Sequence, residues 1–523
     1  MLLHISSLPG PHGIGTMGQE AYDFVDALHG AEQMYWQILP CTQPESENSP
    51  YTSTSAFAGN PNFIDLDALV EDGLLEKSDL DGFAGAENVS ETDYAINQKL
   101  RPALFRKAAQ KGIPRDYEAF EKFRREQGYW LYDYSVFEAI REQQDLLPFW
   151  EWPDDLRYRH PHAVQEFMNE HGAEIEAIQY TQYIWFRQWL KLKEYANQSG
   201  VEIIGDMPIY VSMNSSERWA EPEMFREDAV AGTPPDAFAP EGQLWGNPIY
   251  DWGWMERHGF DWWVHRLGHS FWLFDYVRFD HFRGIEAYFA IPAGETPEMG
   301  KWDPGPGMKL IRALTNRLGE LPIIAEDLGD ISEEVVELVK ECGFAGTKVL
   351  QFAFDDIRSC YLPQFYPHNS ACYTGTHDNN TTRGWYRTLT KKQHRRLREY
   401  IGETTEHTIC DRLIRLGMMS VADCFIVPVQ DLLGLGADAR MNIPGTASGN
   451  WTWRMPKGAM TQKVIQKLCR LTHTYGRTRG DNVCDYTCVI PETEGPGKMP
   501  RYRDPAETEA DAKSEPAAQQ EDA

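Results

Sequence analysis

Short apolar runs, each breaking off into polar or turn residues, recur eight times along the chain. They are LLHISSLPG from Leu2, MYWQILPCTQP from Met34, VEIIGDMPIYV from Val201, FDYVRFDHFRG from Phe274, LPIIAEDLG from Leu321, GTKVLQFAFDD from Gly346, ACYTGTHDNN from Ala371 and DCFIVPVQDLLG from Asp423. Runs this short, bounded by Gly, Pro and Asp, read as buried strands. Between most of them lie stretches of helical composition, such as SEEVVELVKECG after the fifth and KKQHRRLREYIGETTEHTICDRLIRLG after the seventh. Strands alternating with helices eight times predict an α/β fold, a (β/α)8 TIM barrel with helical and loop insertions at its C-terminal face.

The spacing of the runs divides the chain. Residues 1–60 start the barrel, and residues 61–200, with amphipathic aromatic-rich sequence such as IQYTQYIWFRQWLKLKEYANQ, are too long for one crossover and predict a mainly helical insertion. Residues 201–475 supply the remaining barrel, including a Pro-, Gly- and Trp-rich stretch at 232–254 that reads as a loop over the site rather than part of the wall. Residues 476–523 form a C-terminal extension, whose last ~20 residues are charged, lack aromatics and are expected to be disordered. No internal repeat is visible.

Composition narrows the function. A hydrophobic fraction of 42% and an aromatic fraction of 12% describe a soluble globular protein. No stretch reaches the ~18 continuous apolar residues of a spanning helix, and the N-terminus lacks the pattern of a secretory signal. Nine scattered cysteines fit reduced thiols in a cytoplasm, and Cys484 and Cys488 read as incidental because two further ligands at metal-site spacing are missing. A formal charge of -29 disfavours nucleic acid, anionic lipid and highly phosphorylated substrates, leaving a neutral ligand as the expectation.

Three carboxylates fall at the ends of apolar runs: Asp280 in VRFDHFRG, Glu326 in LPIIAEDLG and Asp378 in YTGTHDNN. Barrel enzymes assemble their sites from such strand ends, and cleavage of an acetal between sugars requires one carboxylate at the anomeric carbon and one carboxylic acid to protonate the leaving oxygen. Strand alternation puts Arg278 and Asp280 on one face, where the guanidinium holds the aspartate ionised; a structural ion pair gives the same pattern. The apolar segment before Glu326 would raise its pKa as a general acid needs, whereas helix capping is the bland alternative, and Asp327 is the better structural partner. His377 beside Asp378 is weak evidence alone, but with His281 it supplies hydrogen bonds to sugar hydroxyls without a metal. Tyr51 and Trp245, flanked by loop residues, are candidates to cover sugar rings, while Trp262, Trp263 and Trp272 read as core.

Taken in order, these segments resemble amylomaltase, the 4-α-glucanotransferase or disproportionating enzyme family related to the α-amylases. The resemblance runs from LLHISSLPGPHGIG through WQILP, SPYTSTSAFAGNP, GDMPIYV, PPDAFAPEGQLWGNPIYDW, VRFDHFRG, AEDLG, GTHDNN and VPVQDLLGLG to RMNIPGT and NWTWR, covering Leu2 to about Arg454. It implies Asp280 as nucleophile, Glu326 as general acid/base and Asp378 as transition-state stabiliser. It also implies substrate contacts from Arg278, His281 and His377, with Asp206 of GDMPIYV and Asn442 of RMNIPGT in the same set, and ring stacking from Tyr51 and Trp245. The chain departs from the family pattern at Asn214, Ser215, Ser216 and Glu217 after PIYV and at Asn380, which bears on donor affinity.

The expected reaction is a retaining double displacement, with a maltooligosaccharide donor, a glucose or maltodextrin acceptor and no cofactor. The two reacting carboxyls should lie ~5–5.5 Å apart. An α-1,4-glucan hydrolase using the same carboxylates and a non-catalytic glucan-binding protein are the alternatives.

Overall fold

In a computed structural model the described residues are 1–478 apart from 46–47, 88, 236–240, 330 and 447. The expectations for the acidic tail and for Cys484 and Cys488 lie outside the described residues. Among the described residues eleven strands follow in chain order: β1 (Tyr35–Gln37), β2 (Glu202–Pro208), β3 (Phe225–Thr233), β4 (Gln243–Tyr250), β5 (Tyr276–Asp280), β6 (Ala287–Pro292), β7 (Lys301–Pro304), β8 (Ile323–Ala325), β9 (Ala345–Val349), β10 (Ser370–Tyr373) and β11 (Cys424–Ile426).

Seven of them form one parallel sheet in the order β1-β2-β5-β8-β9-β10-β11. The eighth apolar run closes it. Leu2 bridges Gln37 of β1 on one side and Pro428, just past β11, on the other, both in parallel register. The Leu2 N–H donates to the Val427 carbonyl at 2.8 Å and the Leu3 N–H to the Gln37 carbonyl at 3.0 Å. The chain turns into a 3₁₀ helix at Ile5–Ser7, so this run makes bridges rather than a full strand. All eight apolar runs thus become staves of the TIM barrel, and each short stave carries its polar residues to the same end.

A second sheet, antiparallel and ordered β4-β3-β6-β7, stands beside the barrel. It corrects the reading of 232–254 as a loop: Gly232 and Thr233 end β3, residues 243–250 are β4, and a helix follows at Trp252–Arg257. Pro and Gly hid this strand because β4 lies at a sheet edge and its pairing with β3 shifts register twice, which is where such residues are tolerated.

Between β1 and β2 the long helices are Tyr94–Arg115, Tyr117–Glu126, Gly128–Gln143, Pro161–Glu170 and Gly172–Gln198. The last buries Trp185 and Trp189 and carries two buried glutamines that bond the early loop as a strand would. Gln182 accepts from the Gly59 N–H at 2.8 Å and donates to its carbonyl at 3.0 Å. Gln188 does the same with Asp65, at 2.7 and 3.1 Å. These bonds satisfy buried backbone that belongs to no sheet. Among the described residues, no helix is long and apolar enough to cross a membrane.

Gly59 sets how closely that helix docks, since a Cβ there would meet the Trp185 ring at 2.1 Å. Gly59→Ala is therefore expected to lower stability by about 1–3 kcal/mol through overpacking, read as a reduced urea midpoint with an unchanged m-value.

Candidate active site

The site grows from the register of three neighbouring staves. Asp206 of β2 pairs with Arg278 of β5, and Pro208 pairs with Asp280. On the other side, Arg278 pairs with Ile324 and Phe279 with Ala325 of β8, so the next positions, Asp280 and Glu326, continue that register. Alternation then puts Asp206, Arg278, Asp280 and Glu326 on one side of the pleat. Phe279, on the opposite side, stacks on Trp263 at 5.8 Å and 9°, in the layer between barrel and helices. The charged four therefore face the barrel interior.

Arg278 is the buried centre of this group, with a side chain 3% exposed. Its Nη1 donates to both oxygens of Asp206 at 2.9 and 2.8 Å and to Asp280 Oδ1 at 2.8 Å. Asp206 has no exposed side-chain surface, whereas Asp280 keeps 25%. Burial, and with it the charge of Asp280, pushes the Asp206 carboxyl upward against the pull of Arg278 and a hydrogen bond from Tyr51. That bond, from the Tyr51 hydroxyl to Asp206 Oδ2, is 2.8 Å long.

Glu326 sits just past β8, and both its oxygens accept backbone N–H groups, Oε2 from His281 at 2.8 Å and Oε1 from Leu328 at 2.9 Å. It is not a helix cap, since the next helix begins at Glu333. Burial and the nearby Asp280 charge push its carboxyl above the usual carboxylate range, opposed by Arg278 and these two N–H groups. His281 makes its contact from a left-handed backbone conformation, φ 51°, which an ordinary side chain adopts only when its surroundings compel it. Burial pushes its imidazole down to about 4, so the ring is neutral, and its Nε2 is buried without a partner. Asp327, by contrast, accepts from the Thr347 N–H at 2.6 Å and lies 3.7 Å from Lys348 Nζ, tying β8 to β9.

Asp378 is held from the far side of the barrel. Asn442 donates to its Oδ1 at 2.6 Å, His377 Nε2 lies 3.4 Å away, and Arg440 donates to its carbonyl at 2.6 Å. Burial lowers the His377 pKa, and the Tyr51 ring stacks on its imidazole at 5.0 Å and 17°. Trp245, on β4 and 37% exposed, meets His281 edge-on at 4.8 Å.

These side chains enclose a cavity of about 350 Å³, within the range of small-ligand sites. Asp280, Asp378, His281, His377, Asn442, Tyr51 and Trp245 line it directly. Asp206, Arg278 and Glu326 are buried next to it, hydrogen-bonded to the lining residues Tyr51, Asp280 and His281 respectively. Tyr51 is a strut as much as a platform, since its hydroxyl and ring are both engaged. The expected core residues Trp263 and Trp272 are packed against Phe279 and Phe186.

Residue-by-residue reading missed Trp451, which lines the cavity at φ 65°, and Arg440, which fixes the backbone of Asp378. Their signal was present in NWTWR and RMNIPGT, but nothing local distinguished them from packing residues. The departures at Asn214 and Asn380 fall elsewhere: Asn214 accepts from the Phe149 N–H at 3.1 Å, and the Asn380 carbonyl accepts from Gln351 at 2.9 Å.

A family model described as 4-alpha-glucanotransferase matches residues 3–461. A 4-alpha-glucanotransferase of Streptococcus pneumoniae is 47% identical over 499 residues, covering 93% of this chain and 98% of the relative. One from Clostridium butyricum is 44% identical, covering 91% and 100%. Among solved structures, the amylomaltase from Streptococcus agalactiae in complex with acarbose aligns with a TM-score of 0.89 at 39% identity, covering 91% of this chain and 99% of that one.

Removing the buried cation strands two carboxylates. Arg278→Met is expected to cost about 3–5 kcal/mol at neutral pH in urea unfolding. Without the guanidinium, the folded-state pKa of Asp206 lies still further above its unfolded value. The deficit should therefore shrink as pH falls and the carboxyl protonates, and grow as pH rises.

Proposed function

The chain belongs to the 4-alpha-glucanotransferase family, and from that membership we propose how its cavity moves a segment of an α-1,4-glucan onto the 4-hydroxyl of glucose or another maltodextrin. Asp280, held by the Arg278 guanidinium, attacks the anomeric carbon from the cavity wall. Glu326, protonated because it is buried beside another carboxylate, gives its proton to the departing oxygen. A covalent glucosyl-enzyme results; Glu326 then takes the proton of the acceptor's 4-hydroxyl as that oxygen displaces Asp280. One α-1,4 linkage breaks and one forms.

The observation that carries this reading is the shared register of Asp280 and Glu326 on adjacent staves, with opposite electrostatic surroundings. Adjacent parallel strands lie ~4.8 Å apart, so paired residues on one side of the pleat project side by side, the placement that a retaining pair of carboxyls requires. Glu326 must exchange one of its backbone hydrogen bonds to reach the glycosidic oxygen, a tightening that general acids commonly make once substrate is bound. Asp378, steered by Asn442, grips the hydroxyls beside the reacting carbon, with His281 and His377 as neutral hydrogen-bonding partners. Trp245 and Trp451 cover the sugar faces and favour a sugar acceptor over water. This last feature supports transfer rather than hydrolysis.

With maltotriose as sole substrate, the wild-type chain should yield glucose and longer oligomers with constant total reducing ends. Asp280→Asn should fall below about a thousandth of that rate, and Glu326→Gln should lose about 10²–10⁴-fold; near-normal turnover in the first variant would remove Asp280 from the nucleophile's role.

The reactive form of Glu326 for bond cleavage is the acid, so kcat/KM should decline as pH rises through its elevated pKa. A pH profile of the wild type should place that alkaline limb well above the ~4.3 of an ordinary glutamate. A limb at the ordinary value contradicts the assignment.

A further inference from the structure

Far from the cavity, the two ends of the described chain meet on the outside of the barrel. Cys469 and His473 are one turn apart on the helix Gln462–Thr474, so their side chains share a face. Glu32 reaches them from just beyond the helix Gln19–Gly30, at a left-handed residue with φ 55°. His473 Nε2 lies 2.8 Å and Cys469 Sγ 3.8 Å from the same Glu32 Oε1, and all three donor atoms lie within 4.8 Å of one another. Among the described residues no other trio of His, Cys, Asp or Glu is so arranged.

We propose that Glu32, Cys469 and His473 form a binding site for one divalent transition-metal ion of the zinc class, clamping the first and last helices of the barrel together. The donor set selects the ion. Imidazole nitrogen, thiolate sulfur and carboxylate oxygen suit zinc or cobalt, whereas calcium and magnesium prefer oxygen alone. Tetrahedral bond lengths of ~2.0–2.3 Å put neighbouring ligand atoms ~3.4–3.6 Å apart, so the sulfur–oxygen pair closes by ~0.2–0.4 Å and the nitrogen–oxygen pair opens by ~0.6–0.8 Å, within reach of side-chain rotation.

Without a metal, His473 and the Cys469 thiol both hydrogen-bond to the one Glu32 oxygen, so the three donors already converge on a common point. His473 and Glu32 keep 48% and 44% of their side-chain surface, so an ion has an entry path and a solvent water can complete the fourth position. The two elements are already registered beside the site, since Gln33 Nε2 donates to Thr472 Oγ1 at 2.8 Å. Metal uptake would release the thiol proton, which passes to solvent, and involves no change of oxidation state.

Cobalt titration of the reduced, chelator-stripped full chain tests this. The wild type should take up one equivalent with thiolate-to-cobalt charge-transfer and tetrahedral visible bands, displaced by zinc. Cys469→Ser and His473→Ala should each lose that equivalent, while maltotriose transfer stays at the wild-type rate and shows that both variants fold. Zinc should raise the unfolding midpoint of the wild type and leave both variants unmoved. Thiolate bands that survive undiminished in both variants, or a wild type that binds no cobalt, would overturn the proposal.

Discussion

A single buried guanidinium governs the site. Arg278 is buried next to the cavity with Asp206 on one side and Asp280 on the other, three charges in a space that water does not reach freely. Without the cation the buried Asp206 carboxylate would lose its charge partner, and the cation without its carboxylates would be left unpaired. The surrounding apolar staves lower the local dielectric and so strengthen every interaction in the group. Asp280 is the one member with solvent-facing surface, and so the one positioned to meet a ligand.

The same burial acts in the opposite sense one stave away. Glu326 has no cation bonded to it directly, only the N–H groups of His281 and Leu328, and desolvation lifts its pKa. Two carboxyls in one register thus sit in different surroundings, one bonded to a guanidinium and the other to backbone N–H groups alone. The strained backbone at His281 belongs to this device, because it turns an N–H toward Glu326 while its ring faces Trp245.

Legibility followed the physics of each segment. All eight staves were readable because a buried parallel strand is a short, nearly continuous apolar run with turn residues at its end, including the first run, which the structure reduces to bridges around Leu2. β4 was not readable: an edge strand with bulges carries Pro248 and Gly246 without penalty, so its composition looks like a loop. The carboxylates stood out because acids at the ends of apolar runs are anomalous. Trp451, Arg440 and the glutamine pair Gln182 and Gln188 did not, since aromatic and polar residues in loops and helices have many ordinary uses.

The chain's pattern by itself determined the barrel, the number of its staves and the strand ends at which charged groups emerge, because strand period and burial are written locally in apolar and polar positions. Only the tertiary structure decided which of those groups line a cavity and which are buried next to it. It also brought Glu32 to Cys469 and His473 across more than four hundred residues of sequence, and Asn442 to Asp378 across 64. Such pairings depend on barrel closure and on register between staves distant in sequence, and no local period records them.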